Sequence, residues 1–426
     1  MTRQAFVFGD WPGLATPTRI GQLNADRVHG TETFSFEYDP PWLESLDVAL
    51  LDPELQFYSG RQYVGDASRA NFGLFLDSSP DRWGRMLMQR NEAITARQQQ
   101  RQPKRLFELD YLLGVHDEQR VGGLRFKGSL DGDYQSDESK AQVPPWARLR
   151  ELEQAAWLVQ HDELEDDRHT NESIRLLLAP GSSIGGARPK AGVCDENLQL
   201  WIAKFPGRND EHDVGAWEMV AYRLAAASGI QVSDARLAKF GKSQHTFLVQ
   251  RFDRTVVEGC RLRIHFASAM TMLGYNDGTS FQDGASYLEI VEFLMQHGAR
   301  VDDDLKELWR RIVFSICVSN TDDHLRNHGF LLRPTGWQLS PAYDLNPNPA
   351  GTGLHLNISE VDNSLSLELA VSVAEYFRLT KSEARHIAAH ITAVVRTWQD
   401  VASDIGISRA AQERMRPAFQ VAAAYL

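Results

Sequence analysis

The chain has 426 residues, with 45 Lys and Arg against 57 Asp and Glu, giving a net charge of -12. That length is too great for one core and predicts two or three domains, while the acidic balance argues against a chain built mainly to wrap nucleic acid. Three scattered cysteines (Cys194, Cys260, Cys317) make neither a disulfide framework nor a zinc motif.

No run of about 18 apolar residues is present to span a membrane, so no membrane partner is expected. The N-terminus, Met1 to Gly9, is too poor in apolar residues for a signal peptide, and a cytoplasmic location is the expectation. In chain order, Ala5 to Phe8 reads as a strand, and Thr33 to Tyr38 alternates with period two, as a half-buried strand does. Asp39-Pro-Pro41 breaks that strand. Phe75 to Asp81 reads as a turn feeding a helix through Trp83, Met86, Leu87 and Met88. Gln98 to Arg105 is polar and basic, a solvated face. Leu106 to Val115 is amphipathic, and Val121 to Phe126 is a glycine-hinged strand. Gly128 to Pro145 is the linker candidate, followed by a helix from Trp146 towards Val159. The domains predicted are 1–130, 146–254 and 255–426.

Pro180 to Lys190 is rich in glycine and serine but lacks the order of a Walker loop. Such a turn can still bring backbone N–H groups onto phosphate oxygens, because glycine permits close approach and positive φ. A strand from Leu198 follows, with Lys204 near its end, where a lysine contacts nucleotide phosphates in kinases. Glu218 lies near the start of the next helix, Val214 to Ala226, and is a candidate partner for Lys204. Thr246 to Phe252 is a further strand, ending where a kinase hinge reads adenine. From Tyr287 onward helices dominate, with Tyr287, Ile290, Val291, Leu294 and Met295 forming one apolar face.

The densest chemistry is in Ser319 to Phe330. An apolar helix pattern (Leu305, Leu308, Trp309, Ile312, Val313, Ile316) empties into two carboxylates, two imidazoles and two amides. A kinase catalytic loop needs an Asp to accept the substrate hydroxyl proton and, some residues on, an Asn to hold magnesium. Asp322 and Asn327 have that spacing. A second metal-binding Asp follows a short strand pair in kinases, and Asp344 in Ser340-Pro-Ala-Tyr-Asp344 supplies it. Magnesium takes hard oxygen ligands, usually one or two carboxylates plus phosphates.

Taken together these motifs resemble the HipA family of bacterial serine/threonine protein kinase toxins. They are Asp117 to Gly123, Ser183 to Lys190, Ile202 to Pro206, Arg251 to Arg254, Thr321 to Asn327 and Ser340 to Asp344. The resemblance implies an α+β, two-lobed protein-kinase-like fold with an extra N-terminal β/α subdomain and an all-helical C-lobe. It implies Asp322 as catalytic base with His324 beside it, Asn327 and Asp344 as Mg2+ ligands, and Lys204 as the phosphate-contacting lysine. ATP would be held further by Ser183, Ile184, Gly185, Gly186 and Lys190 of the glycine loop and by Gln250, Arg251 and Phe252 of the hinge. Ser183, with Ser182 as the second choice, would be the site of inactivating autophosphorylation. The implied substrate is an aminoacyl-tRNA synthetase. The implied partner is a small DNA-binding antitoxin, with DNA reached only through that complex. Gln250 stands where some members carry Glu, and Arg188-Pro189 departs from the Gln-containing loop of the best-known ones.

Two other readings are open on the sequence. One is a metal hydrolase using His324, His328 and Asp322; the other is a catalytically impaired scaffold that acts with the antitoxin as a transcriptional co-repressor.

Overall fold

The computed structural model describes residues 2–28, 30–45, 49–135, 143–161, 174, 176–177, 188–241 and 244–425. By compactness the chain forms two units, Met1–Arg208 with Asp253–Ala267, and Asn209–Phe252 with Ser268–Leu426. This division does not follow the three sequential segments expected, because a short stretch after Phe252 returns to the first unit.

The first unit is built on an antiparallel five-stranded sheet of β1 (Thr2–Gly9), β2 (Thr18–Val28), β3 (Thr31–Tyr38), β4 (Gln62–Tyr63) and β5 (Leu124–Lys127). Their order is β4-β3-β2-β1-β5. The strand β2 has no counterpart in the sequence reading. It is the central strand, paired with β3 on one side and β1 on the other, and buries Ile20, Leu23, Asn24 and Ala25, so its residues show no clean alternation of polar and apolar. A register shift between Val7 and Phe8 bends the β1–β2 pair. Phe36, Phe75 and Phe126 pack in a row, with ring centroids 5.6 and 6.1 Å apart. The helix Arg82–Gln98 starts on Asp81, whose carboxylate accepts from the Gly84 N–H at 2.9 Å. A hairpin of β6 (Lys190–Cys194) and β7 (Leu200–Lys204) completes the sequence-local part, with Lys190 opposite Lys204.

Charges fasten the returning segment Asp253–Ala267 to the Asp117 to Gly123 motif. Asp253 accepts from the Gly122 N–H (2.8 Å), and the Arg254 guanidinium donates to the carbonyls of Gly122 (3.1 Å) and Arg120 (2.6 Å). Arg263 donates to the carboxylate of Asp117 (2.8 Å), as Arg125 does (2.6 Å). Burial alone would push the Asp117 carboxyl up, but Arg263 and Arg125 together hold it below the usual range. Gly122 sits at φ +75, and a Cβ there would lie 2.9 Å from the Phe266 nitrogen, so both the conformation and the close approach call for glycine.

The second unit is mainly helical. It contains the helix Val214–Ala227, capped by Asp213, and the antiparallel pair β8 (Ala235–Ala238) and β9 (Thr246–Gln250). The helices Tyr287–His297 and Val301–Val318 follow, then a hairpin of Gly329–Arg333 and Gly336–Leu339, then the helices Leu367–Ser372, Lys381–Val395, Trp398–Ile405 and Arg409–Met415. Val301–Val318 is the spine of this unit, with Leu305, Leu308, Trp309, Ile312, Val313, Ile316 and Val318 all buried. Its first turn carries Asp302, Asp303 and Asp304, which suits the positive end of the helix. Among the described residues, no helix is long and apolar enough to cross a membrane.

Candidate active site

The spine helix delivers the site. It stops at Ser319, a non-glycine residue in the left-handed region (φ 50, ψ 46), whose hydroxyl donates to the Ala418 carbonyl at 2.9 Å. Holding such a residue there costs on the order of 1–3 kcal/mol and persists where the surroundings enforce it. The loop that follows separates its two adjacent carboxylates. Asp322 is exposed, whereas Asp323 is buried. Asp323 accepts from the Tyr287 hydroxyl at 2.7 Å, and His328 Nε2 lies 3.1 Å from its other oxygen. Burial pushes the Asp323 carboxyl up, but His328 and the Tyr287 hydroxyl outweigh it and hold the group below its ordinary value.

The spacing from Asp322 to Asn327 closes a small ring. The Asp322 carbonyl accepts from the Asn327 side-chain NH2 and from the His324 N–H, each at 2.9 Å. Asn327 is buried, and its side-chain oxygen has no hydrogen-bond partner among the described residues. An amide oriented by its nitrogen and left with a bare oxygen is suited to a cation, since an unsatisfied buried acceptor is otherwise costly.

Asp344 comes from a second loop stitched to the first. It too is left-handed (φ 59). The Tyr343 hydroxyl donates to the Arg326 carbonyl at 2.6 Å, the Asn346 N–H to Asn320 Oδ1 at 3.2 Å, and the Asn348 side chain to Thr321 Oγ1 at 2.8 Å. The spine helix grips the start of this loop. Asp304 accepts from the Leu339 N–H (3.0 Å), and Arg311, paired with Glu307 at 3.0 Å, donates to the Ser340 carbonyl (2.6 Å). Asp344 and Asn327 therefore stand on two loops tied to one helix and to each other.

The remaining candidates are placed as follows. Gln250 closes β9, with its N–H on the Asp234 carbonyl at 2.8 Å, and Arg251 is buried. The Phe252 ring packs on Tyr343, centroids 5.5 Å apart. All these lie in the second unit with Asp322, His324, Asn327 and Asp344, whereas Lys204 and Lys190 belong to the first and Glu218 to the second. Ser182, Ser183, Ile184, Gly185 and Gly186 fall outside the described residues.

Lys190 has a partner the sequence did not reveal. Its ammonium lies 2.6 Å from Asp81, both side chains are buried, and its carbonyl accepts from the Trp83 indole at 3.0 Å. Asp81 had read only as a turn residue. Tyr287 and Tyr343 were likewise missed as parts of the site, because their partners Asp323 and Arg326 lie 36 and 17 residues away. The His324, His328 and Asp322 set for a hydrolase is not assembled, since His328 turns to Asp323 and Tyr287 and the His324 ring meets His355 edge-on at 5.7 Å. Among the described residues no group of three or more His, Cys, Asp or Glu is placed to hold a metal. A magnesium that takes one Asp, one Asn and phosphate oxygens does not need such a cage.

These features define a protein-kinase-like α+β fold. The fold is shared with a solved structure, the HipA protein of Shewanella oneidensis in complex with HipB and operator DNA. That match has a TM-score of 0.63 at 16% identity and covers 95% of this chain and 94% of the other.

Residues 182–398 match the family described as the HipA-like C-terminal domain, and the chain belongs to that family. It is 27% identical over 197 residues to a putative kinase of Haemophilus influenzae, covering 43% of this chain and 57% of that protein. It is 26% identical over 187 residues to the serine/threonine-protein kinase toxin HipA of Shewanella oneidensis, covering 39% and 43%. In these matches the chain spans about half the length of the curated relatives.

Proposed function

We propose that this protein is an ATP- and Mg2+-dependent serine/threonine kinase, the toxin of a type II toxin–antitoxin module. The observation that carries the reading is Asn327. Its amide is fixed on the Asp322 carbonyl with its oxygen bare, next to an exposed Asp322 and on a loop tied to that of Asp344. In the proposed reaction the substrate hydroxyl oxygen forms a bond to the γ-phosphorus of ATP, the bond from that phosphorus to the β,γ-bridging oxygen breaks, and ADP leaves. The Asp322 carboxylate orients the hydroxyl and takes its proton.

Asn327 and Asp344 are the residues that would hold magnesium, which when bound neutralises phosphate charge. Lys204 is assigned to the phosphates, and Gln250, Arg251 and Phe252 to the adenine. His324 is assigned to the catalytic loop, where its backbone N–H supports the Asp322 turn. Lys190 is assigned to its ion pair with Asp81 rather than to nucleotide. The family suggests an aminoacyl-tRNA synthetase as substrate, a DNA-binding antitoxin as partner, and autophosphorylation at Ser183 or Ser182 as the off-switch.

The test is incubation of the purified protein with labelled ATP and magnesium, with and without cell lysate. Label on the protein and on a lysate band of synthetase size is the expected result. ATP binding with no transfer to any acceptor would overturn the kinase reading in favour of a co-repressor scaffold.

A further inference from the structure

We infer that Tyr343 is a positioning residue that sets the magnesium-holding amide of Asn327 and links it to the adenine side of the site. This inference rests on the kinase reading above. Tyr343 is buried, and two of its contacts, different in kind, bear on the site. Its hydroxyl donates to the carbonyl of Arg326, the residue next to Asn327, over 2.6 Å. Its ring lies against Phe252, with centroids 5.5 Å apart and planes 36° from parallel.

The backbone on both sides of Tyr343 leaves it little freedom. The Ala342 N–H donates to the Gln231 carbonyl at 2.8 Å, and the Ala342 carbonyl accepts from the Tyr222 hydroxyl at 3.3 Å. On the other side Asp344 is held at φ 59. A phenol anchored in this way is a fixed donor, and the Arg326 carbonyl has to come to it.

The consequence falls on Asn327. Its side chain is oriented by one bond to the Asp322 carbonyl, and its backbone N–H donates to the His324 carbonyl at 2.8 Å. The Asn327 N–H and the Arg326 carbonyl belong to one planar peptide unit, whose N–H end is held by the His324 carbonyl and whose carbonyl end is held by the Tyr343 hydroxyl. Because Asp344 is the next residue along from that tyrosine, one side chain sets the spacing of both magnesium ligands.

The ring contact adds a second role. Phe252 ends the segment assigned to adenine, so nucleotide that moves Phe252 moves the ring that carries this hydroxyl. The tyrosine thereby couples adenine occupancy to the geometry of the metal ligands. Removing only the hydroxyl separates the two roles, since Tyr343→Phe keeps the ring on Phe252 and leaves the Arg326 carbonyl without its donor.

The test compares wild type, Tyr343→Phe and Tyr343→Leu in three measurements: phosphoryl transfer, thermal unfolding, and Mn2+ binding read by electron paramagnetic resonance with a non-hydrolysable ATP analogue present. For Tyr343→Phe the expected result is a fall in kcat of about tenfold to a hundredfold, as for a small misplacement of a catalytic constellation. KM for ATP and the melting temperature should stay near wild type, and Mn2+ affinity should fall severalfold. Tyr343→Leu should raise KM for ATP as well. A Tyr343→Phe protein with unchanged kcat and Mn2+ affinity overturns the inference. So does one whose losses track a lowered melting temperature, which marks a structural role alone. A wild type that binds neither Mn2+–nucleotide nor ATP overturns the kinase reading itself and this inference with it.

Discussion

At the scale of single residues, the two adjacent carboxylates of the loop divide the work by environment. Asp322 is exposed, and Asp323 is buried between Tyr287 and His328. Asp322→Asn keeps shape and the carbonyl that holds Asn327, but removes the proposed proton acceptor. It should lower transfer by about two to four decades while leaving ATP affinity, measured by calorimetry, near wild type. Asp323→Asn should instead act on stability. The folded carboxyl titrates below its unfolded value, so its contribution is fully present above the ordinary carboxylate range and is lost as pH falls through the folded value. Urea unfolding from pH 7 down to pH 3 should show wild type losing stability on the acid side and the variant, weaker by about 1–3 kcal/mol at pH 7, losing less. Parallel curves would show that Asp323 does not carry this part of the acid sensitivity. The sequence singled out Asp322 through its spacing to Asn327. It gave no sign of what Asp323 does, because the partners that bury it, Tyr287 in particular, lie far away in the chain.

At the scale of elements, strong local patterns were legible and long-range ones were not. The strands at Ala5 and Thr33, the helix from Val214 and the helix from Tyr287 all appear where periodicity placed them. The central strand β2 was missed because both its faces are covered. The return of Asp253–Ala267 to the first unit was missed because it depends on contacts such as Arg263 to Asp117, 146 residues apart. The helix Val301–Val318 was expected from its apolar face, yet its polar residues are what aim the Asp344 loop. Glu307 pairs with Arg311 and accepts from the Gln231 N–H at 3.0 Å, and Arg311 reaches the Ser340 carbonyl. Arg311→Met keeps most of the volume but leaves the buried Glu307 carboxylate only the more distant Arg310 guanidinium, 3.8 Å away. Breaking such a pair costs about 3–5 kcal/mol. Chemical denaturation should show that loss, and the double variant Glu307→Gln/Arg311→Met should recover part of it. A single variant as stable as wild type would remove the pair from the account of how this loop is held.

At the scale of the whole molecule, the question is how a kinase toxin would be silenced, and the glycine loop is the place the family points to. Ser182 and Ser183 lie outside the described residues, but the stem on their C-terminal side is well defined. Arg188 donates to the Phe205 carbonyl at 3.2 Å, the Phe205 N–H to the Pro189 carbonyl at 2.9 Å, and Lys190 is buried against Asp81. A phosphoserine adds about -1.5 to -2 charges. With Lys190 committed to Asp81, capture of that phosphate by Lys190 would require breaking a buried ion pair, which is expensive. Repulsion between the phosphoserine and the incoming triphosphate is therefore the route we expect for the off-switch, within a chain that already carries a net charge of -12. Mass spectrometry of protein from active and Asp322→Asn preparations should find phosphate on Ser183, or on Ser182, only in the active form. The modified protein should bind ATP at least tenfold more weakly at low ionic strength, and part of that loss should be recovered in high salt, because exposed charges are screened over about 10 Å at 0.1 M. Asp81→Asn offers the opposing case, since it releases Lys190 while keeping a helix-capping oxygen. If phosphate capture were the route, that variant would be silenced more completely by modification than wild type. If a modified loop bound ATP as tightly as the unmodified one, phosphorylation would not be the switch.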